Sequence, residues 1–413
     1  MKVRSLPLKA AQKAAQEDLC RPAGFSFSSS CAGIKASGRP DLALVEACPG
    51  TTVAALFTKN RVVAAPLEVG RASLVASRGA VRAVIVNSGN ANCATGKAGI
   101  RACHKVCREL AQLLGVRASQ IFPSSTGIIG VPLPADKIIS KLPELTAGRQ
   151  ATKQGIANFA RAIMTTDTRP KLACAALHSG KATVSVLGVA KGAGMIHPQL
   201  ATMLVYLFTD AVATPSELKR LLQDSCEQTF NSISIDGDTS TNDTVLLLAS
   251  GRSGVRLQQA LVRKAFSQAL LDVCQSLAEQ IVSDGEGVKH VIRLSVEQAR
   301  NREEARRVAE TVAHSLLVKT AWAGADPNWG RILAAVGRSG IAIDPAKVSI
   351  EIGDQMVCRG GVGCAFDEKR AHQALAEPRC EIRILLGRGS ASILFLTTDL
   401  TAEYVRINAD YST

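Results

Sequence analysis

The sequence predicts an α+β fold with mixed sheets. Apolar runs typical of strands alternate with longer helix-like segments, and turns containing glycine or proline separate them. Of the 413 residues, 46% are apolar and 20% are charged, so the chain can bury a substantial core. This length fits two domains, or one large unit with a smaller appendage.

The individual elements follow from hydrophobic periodicity and from turn residues. Strands are predicted at 52–58, 82–89, 182–191, 203–211, 245–250, 289–297, 347–353, 380–387 and 391–397. Helices are predicted at about 97–115, 151–164, 215–229, 257–282, 301–317 and 367–376. Pro123 and Gly127 predict that 121–134 is a loop, because proline lacks a backbone N–H and glycine weakens a strand.

The net charge of +14, from 49 basic and 35 acidic residues, is compatible with three kinds of protein. These are a nucleic-acid binder, a binder of anionic surfaces and a basic enzyme that acts on carboxylates. The basic residues are spread along the chain without a run of five like charges, and aromatic residues make up only 4%. Nucleic-acid binding is therefore disfavoured, because it needs a basic patch and base-stacking aromatic side chains.

The twelve cysteines are dispersed and form no C-x-x-C pair, as is typical of proteins in a reducing compartment. The first twenty residues lack the apolar stretch of a signal peptide, and no run of 18 apolar residues occurs. We therefore expect a soluble cytoplasmic protein that does not enter the membrane.

Two segments contain residue types that bind metals. Cys103 and Cys107 lie one helical turn apart beside His104, yet their spacing matches the apolar face of the predicted helix. The loop 236-DGDTSTND-243 begins like a calcium loop, but its sixth residue is Thr241 rather than glycine and no glutamate closes it. A zinc site at His104 stays an alternative, and no metal is predicted.

Two glycine-containing loops offer groups for catalysis. In 124-SSTG-127 a hydroxyl and an unobstructed backbone N–H stand together, as a developing oxyanion requires. In 284-DGEG-287 a carboxylate lies between two glycines at a predicted helix end. Taken alone, the first is better explained as a plain turn and the second as a solvated helix terminus.

The segment 190-AKGAGMIHPQLATMLVYLFTD-210 passes from a glycine loop into an apolar strand through Ala201 and Thr202. The chain lacks a nucleophile elbow, a Walker A motif and a dinucleotide fingerprint. One interpretation is a strand that begins with threonine. The other is self-cleavage, in which the Thr202 hydroxyl attacks the Ala201 carbonyl and hydrolysis of the ester frees Thr202. The α-amine of the new N-terminus would then be the general base for its own hydroxyl.

Eight motifs in a fixed order resemble those of the ornithine acetyltransferase family, the glutamate N-acetyltransferases of arginine biosynthesis. The resemblance extends from about Gly24 to Thr413. The motifs are NSGNAN (87–92), SSTGIIG (124–130), MTTDTRPK (164–171), KGAGMIHPQLATML (191–204), DGDTSTND (236–243), DGEG (284–287), ADPNWGRILAAVG (325–337) and INADYST (407–413).

The resemblance implies a fold, a reaction and an assembly. The implied fold is the αββα sandwich of self-processing enzymes, with a smaller C-terminal subdomain. The implied reaction moves acetyl from N2-acetyl-L-ornithine to L-glutamate through acetylated Thr202, without a cofactor. Cleavage between Ala201 and Thr202 gives an α chain, 1–201, and a β chain, 202–413, that assemble as an α2β2 heterotetramer. Whether acetyl-CoA is a second donor stays open.

The resemblance also implies roles for single residues. Thr202 is the nucleophile, Thr126 and Gly127 form the oxyanion site, and Glu286 takes part in catalysis. The implied substrate contacts are Thr166, Lys191, Thr202, Glu286, Asn408 and Thr413. These residue types suit amino-acid substrates, which carry carboxylates and amino groups and so need cations and carboxylates together.

One motif departs from the family pattern, because Val288-Lys289-His290 follows the DGEG motif where the family has Ala-Thr-Lys. Two other classes of protein stay as alternatives. In a self-processed amidohydrolase or aminopeptidase, water accepts the acyl group; Lys191, Glu286 and the tail 407–413 favour an amino-acid acceptor instead. A basic scaffold or nucleic-acid-binding protein would be one uncut chain of 43.4 kDa.

Overall fold

The computed structural model describes residues 20–180, 182–197 and 203–410. Three residues of the predicted site, Ala201, Thr202 and Thr413, lie outside the described residues. The strands are β1 (Phe25–Ser30), β2 (Leu42–Ala47), β3 (Thr52–Phe57), β4 (Ala83–Asn90), β5 (Ile121–Ile128), β6 (Lys171–Ser179), β7 (Ala182–Lys191), β8 (Leu204–Thr209), β9 (Thr244–Ala249), β10 (Val291–Ala299), β11 (Ser349–Ile352), β12 (Gln355–Arg359), β13 (Val362–Gly363), β14 (Arg379–Leu385) and β15 (Ala391–Thr398). The helices are α1 (Ala65–Ala76), α2 (Gly96–Leu114), α3 (Ala135–Ala147), α4 (Lys153–Ala162), α5 (Pro215–Gln228), α6 (Ala260–Ser283), α7 (Arg302–Ala313), α8 (Leu316–Ala323), α9 (Trp329–Gly337), α10 (Glu368–Ala376) and α11 (Ala402–Asp410).

Two mixed sheets pack face to face. The N-terminal sheet has the strand order β1-β2-β4-β5, and the central sheet has the order β3-β9-β8-β7-β6. Their facing sides form one apolar core, in which Phe27 and Val84 of the N-terminal sheet meet Tyr206 and Phe208 of the central sheet. The rings of Phe27 and Phe208 pack edge to face with centroids 5.3 Å apart, the geometry that aromatic quadrupoles favour.

Helices cover the outer faces of both sheets. On the N-terminal sheet, Leu44 and Ile85 pack with Leu110 of α2 and Leu142 of α3. On the central sheet, the outer side chains of β7, β8 and β9 pack with apolar residues of α5 and α6. Strand side chains alternate between the two faces of a sheet. Each buried strand of the sandwich therefore contributes side chains to two apolar cores, one between the sheets and one under the helices. The result is an αββα sandwich, and the predicted α+β class is confirmed.

The smaller C-terminal subdomain has its own sheet, with the strand order β13-β12-β11-β14-β10-β15. A separate apolar core joins this sheet to α7, α8 and α9, with Leu294 and Ile382 on strands and Val308 and Trp322 on helices. Helix α11 follows β15 and ends the described chain.

Helix termini agree with local signals in the sequence. Helix α2 ends before Gly115, whose φ of +64° is the left-handed conformation that glycine adopts without strain. Helix α5 begins after Thr214, whose hydroxyl accepts the N–H of Glu217 while the Glu217 carboxylate accepts the N–H of Thr214.

The predicted loop at 121–134 was wrong in its first half. Residues Ile121–Ile128 form β5, which pairs in parallel with β4 and places Pro123 opposite Ile85. β5 is one of the two edge strands in the described N-terminal sheet, and β1 is the other. An edge strand has one side without a partner strand, so it tolerates a proline that has no N–H to donate.

Several other elements were not predicted. They are β1, β2, β6, β12, β13, α1, α3, α8, α9 and α11. The predicted helix 301–317 ends earlier, at Ala313, and α8 begins as a separate helix at Leu316. β1 has the sequence FSFSSS, whose serine content hides the alternation that places Phe25 and Phe27 in the core.

Cys103 and Cys107 are buried where α2 packs on the N-terminal sheet, as the helical spacing predicts, whereas His104 is exposed. Within the described ranges, no group of three or more His, Cys, Asp or Glu side chains could hold a metal ion. None of the helices described here combines the length and the apolar character needed to cross a membrane.

Candidate active site

One cavity of about 200 Å³ opens where β5 and β7 end. Six residues that the sequence assigned to the site line this cavity: Thr126, Gly127, Thr166, Lys191, Glu286 and Asn408. They come from loops and strand ends that are up to 282 residues apart in the chain (126 to 408). The structure therefore brings together every predicted site residue that it describes.

Thr126 and Gly127 lie near the end of β5, where the pairing with β4 becomes irregular. Gly127 has a φ of +130°, and a Cβ atom there would lie 2.4 Å from the carbonyl carbon of Gly89. Only glycine allows this close approach of two backbones without strain. The cavity wall at this point is consequently bare backbone beside the Thr126 hydroxyl.

Lys191 is the last residue of β7 and points into the space between the two packed sheets. Its Nζ donates a hydrogen bond to Thr126 Oγ1 at 3.3 Å, and the residue is only 3% exposed. Burial lowers the pKa of Lys191, and the nearby Asp167 carboxylate opposes that shift. Because Thr126 accepts from Lys191, its own hydroxyl proton is free to point at a ligand in the cavity.

Glu286 forms another part of the wall. Its backbone N–H donates to the carbonyl oxygen of Ala193 at 2.9 Å, which joins the DGEG motif to the glycine loop after β7. Asn408 of α11 donates its side-chain amide to Glu286 Oε2 at 2.9 Å. A Cβ atom on Gly194 would lie 2.5 Å from that same oxygen, so the glycine makes room for the carboxylate.

A buried ion network lies beneath these loops. Lys171 Nζ is 2.6 Å from Asp167 Oδ1 and 2.6 Å from Asp284 Oδ2, and its side chain is fully buried. Asp167 also accepts the backbone N–H of Gly192 at 2.7 Å, and Asp284 accepts that of Thr168 at 3.1 Å. Although burial alone would raise the pKa of Asp167, the ammonium groups of Lys171 and Lys191 hold it well below its ordinary range. One lysine thus ties together the loops that carry Thr166, Lys191 and Glu286.

Asp236 anchors the other side of the glycine loop. Its carboxylate accepts the backbone N–H groups of Met195 and Ile196, the latter at 2.9 Å, and the hydroxyl of Tyr404 at 3.3 Å. Met195 has a φ of +56°, which a methionine adopts only when the surroundings hold it there. Burial raises the pKa of Asp236.

Asn242 joins two walls of the cavity. Its side-chain amide donates to the carbonyl oxygens of Ala91 at 2.7 Å and Ser125 at 2.9 Å. Ser125 directly precedes Thr126, so Asn242 limits the movement of the backbone that carries the hydroxyl.

Sequence reasoning did not single out several residues that shape this cavity. They are Asp167, Lys171, Asp236, Asp238, Asn242, Asp284 and Tyr404. All except Tyr404 belong to quoted motifs, so motif membership was the available signal. Their separate functions depend on burial and hydrogen bonding between distant segments, which no single motif displays.

The Thr126 hydroxyl, backed by the charged Lys191, and the bare backbone at Gly127 are suited to polarising a carbonyl group. The carboxylate of Glu286 lines the same cavity and can accept from an amino group. The fold and the site thus define an enzyme of the acyl-transfer class. A family model described as the ArgJ family matches residues 26–413, and the chain belongs to that family. The predicted membership of the ornithine acetyltransferase family, and with it the prediction of a glutamate N-acetyltransferase, is confirmed.

The chain is similar to several named proteins. The chain is 45% identical to the arginine biosynthesis bifunctional protein ArgJ of Methylococcus capsulatus, over 96% of this chain and 97% of that protein. A solved structure of the protein of that name from Bacillus halodurans is 38% identical, with a TM-score of 0.48, and covers 50% of this chain and 98% of its own. A solved structure of ornithine acetyltransferase with ornithine, from Mycobacterium tuberculosis, is 36% identical, with a TM-score of 0.37, and covers 43% of this chain and 92% of its own.

Proposed function

We propose that the chain transfers the acetyl group of N2-acetyl-L-ornithine to L-glutamate through an ester on Thr202. The observation that carries this proposal is the convergence of Lys191, Thr126, Gly127 and Glu286 on one cavity. The first three suit a carbonyl oxygen that becomes negative, and Glu286 suits an amino group. The relative from Methylococcus capsulatus is named as a protein of arginine biosynthesis, which supports amino-acid substrates.

The described chain resumes beside this cavity, immediately after the proposed nucleophile. Met203 is bonded to Thr202, and the next residue, Leu204, pairs with Lys191 across β7 and β8. Met203 and Leu204 therefore lie next to the strand end that carries Lys191, one of the residues that line the cavity. The position of Thr202 in the sequence, directly before this strand, supports it as the attacking group.

The acetyl group moves in two balanced steps. In the first, Thr202 Oγ1 attacks the acetyl carbonyl carbon, its proton passes to the α-amine of Thr202, and the new negative oxygen accepts from the Thr126 hydroxyl and the Gly127 N–H. The C–N bond then breaks, and the α-ammonium returns the proton to the departing amine of ornithine. In the second, the amine of glutamate attacks the ester and gives its proton to the α-amine of Thr202. The C–O bond then breaks, and the α-ammonium returns this proton to Thr202 Oγ1.

The freed α-amine requires cleavage between Ala201 and Thr202, which we propose occurs by attack of the Thr202 hydroxyl on the Ala201 carbonyl. The α chain, 1–201, and the β chain, 202–413, remain associated, because β7 and β8 are neighbours in the central sheet and Val189 pairs with Tyr206. β3 of the α chain likewise pairs with β9 of the β chain. We further propose that two such pairs form an α2β2 heterotetramer.

Mass spectrometry of the purified protein tests the cleavage. We expect two fragments, the second of which begins at Thr202. The Thr202→Ala variant should give one intact chain of 43.4 kDa. If an active preparation contained only the intact chain, the self-processing mechanism would be wrong.

Assays that combine each acetyl donor with each acceptor test the reaction. N2-acetylornithine or acetyl-CoA is supplied as the donor, and glutamate or water as the acceptor, and N-acetylglutamate is measured. We expect N-acetylglutamate from N2-acetylornithine, with only slow release of acetate when glutamate is omitted. Rapid acetate release without glutamate would indicate an amidohydrolase instead. Formation of N-acetylglutamate from acetyl-CoA and glutamate would show that the enzyme also uses acetyl-CoA as a donor.

A further inference from the structure

Asp238 lines the cavity and has an unusually free carboxylate. Its backbone N–H donates to Asp236 Oδ1 at 3.2 Å, which fixes the residue at the cavity mouth, and the residue is exposed. Across the described ranges, no side chain or backbone group forms an ion pair or hydrogen bond with the Asp238 carboxylate. Its backbone is therefore held beside the cavity, and its carboxylate is available to a ligand.

The other two carboxylates of the cavity are already engaged. Asp236 accepts from two backbone N–H groups of the glycine loop and from the hydroxyl of Tyr404. Glu286 accepts the side-chain amide of Asn408 through its Oε2 and lies against the glycine loop at Gly194. Asp238 is left as the carboxylate with both oxygens available.

The two substrates differ in charge at the far end of the side chain. N2-acetylornithine carries an ammonium group there, three methylene groups from its α-carbon, whereas glutamate carries a carboxylate. A carboxylate at the mouth of the cavity attracts the first and repels the second. Among the described lining residues, Lys191 is the cation, and it lies inside against Thr126 rather than at the mouth.

We propose that Asp238 binds the side-chain ammonium of the ornithine substrate and so sets the preference for the acetyl donor over the acceptor at this end of the site. This rests on the proposed function. Opposite charges about 4 Å apart at a partly solvated site interact strongly enough to change affinity by roughly tenfold. Glutamate should bind slightly better when the negative charge is removed.

Asp238→Asn tests the inference because it keeps the shape and removes the charge. The probes are N2-acetyl-L-ornithine and N2-acetyl-L-norvaline, which is the same molecule without the side-chain amine. In the wild type we expect kcat/KM to be about tenfold higher for the ornithine compound. In Asp238→Asn we expect this ratio to approach one, while the KM for glutamate stays equal or falls.

Two further variants separate charge from structure. Asp238→Glu keeps the charge and should retain the discrimination. Asp224→Asn makes the same chemical change on an exposed face of α5, outside the residues that line the cavity, and should leave the ornithine-to-norvaline ratio and the KM for glutamate unaltered. Calorimetry of L-ornithine and L-norvaline binding gives the same comparison without turnover.

The outcomes are distinguishable. An unchanged ornithine-to-norvaline ratio in Asp238→Asn, or an equal loss for every substrate, overturns the assignment of Asp238. A wild-type enzyme that transfers no acetyl from N2-acetylornithine overturns the proposed function, and the inference falls with it.

Discussion

The backbone N–H of Met203 donates to Asp243 Oδ1 at 2.8 Å, while Asp243 Oδ2 has no hydrogen-bond partner among the described residues. The residue is 1% exposed. Burial raises the pKa of this carboxyl well above its ordinary value, and the Met203 N–H and the Lys191 charge only partly oppose the shift. A buried acid beside the proposed cleavage site is thus held most easily in its protonated form.

The first prediction concerns the pH dependence of stability. In the unfolded chain Asp243 ionises near an ordinary pKa of about 3.9, whereas the folded chain keeps the proton to higher pH. The folded state binds more protons over that interval, so the contribution of this acid to stability falls as the pH rises. In the uncut Thr202→Ala protein, Asp243→Asn should therefore match its parent at pH 3.5 and be more stable than its parent near pH 7.

Denaturant midpoints at several pH values measure this difference. Asp224→Asn in the same background is the control, because it makes the same chemical change on an exposed face of α5. A parent that is more stable than Asp243→Asn at neutral pH would contradict the predicted direction.

The second prediction concerns the ion network under the cavity. Lys171→Met leaves Asp167 and Asp284 buried without their shared cation. Removing one partner of a buried ion pair costs about 3–5 kcal/mol, so the free energy of unfolding should fall by roughly that amount. The exposed Lys347, paired with Asp344, offers the control Lys347→Met, which should cost about 0.5 kcal/mol or less. Similar costs for the two variants would show that the network does not hold the loops together.

The third prediction concerns the close approach of β5 to β4. Gly127→Ala introduces a Cβ atom 2.4 Å from the backbone of Gly89, so the end of β5, which carries the Thr126 hydroxyl and the Gly127 N–H, must shift. We expect kcat for acetyl transfer to fall by about 100-fold or more, the loss typical of a misplaced oxyanion donor. Gly130→Ala is the matched control, because Gly130 also has a positive φ, of +83°, but a Cβ there meets nothing within 4 Å. Equal losses in both variants would point to backbone strain rather than to the clash.

The fourth prediction concerns the hydroxyl that Lys191 contacts. Thr126→Val preserves the shape and removes the hydroxyl, so it should lower kcat by about 10²–10³ while KM changes little. Thr126→Ser keeps the hydroxyl and should retain most of the activity. If Thr126→Val instead raises KM at constant kcat, the hydroxyl binds the ground state and does not stabilise the oxyanion.

Much of the fold could be predicted from local patterns. The helix that ends at Gly115 and the strands at 182–191 and 245–250 have strong periodicity and clear stop signals, and the structure contains all three. β5 could not be predicted this way, because Pro123 disqualifies a central strand but not an edge strand. Only the sheet order shows that β5 lies at an edge.

The candidate site shows the same division. The sequence by itself determined the family, the α+β class and a set of loops whose motifs include Thr126, Lys191 and Glu286. Tertiary structure alone decided that these loops share one cavity, that Lys171 joins them from below and that the Asp238 carboxylate pairs with no other described residue. The physical reason is that residue identity and local propensity are carried by the chain. Burial, charge pairing and hydrogen bonding are set by segments that meet only when the two sheets pack.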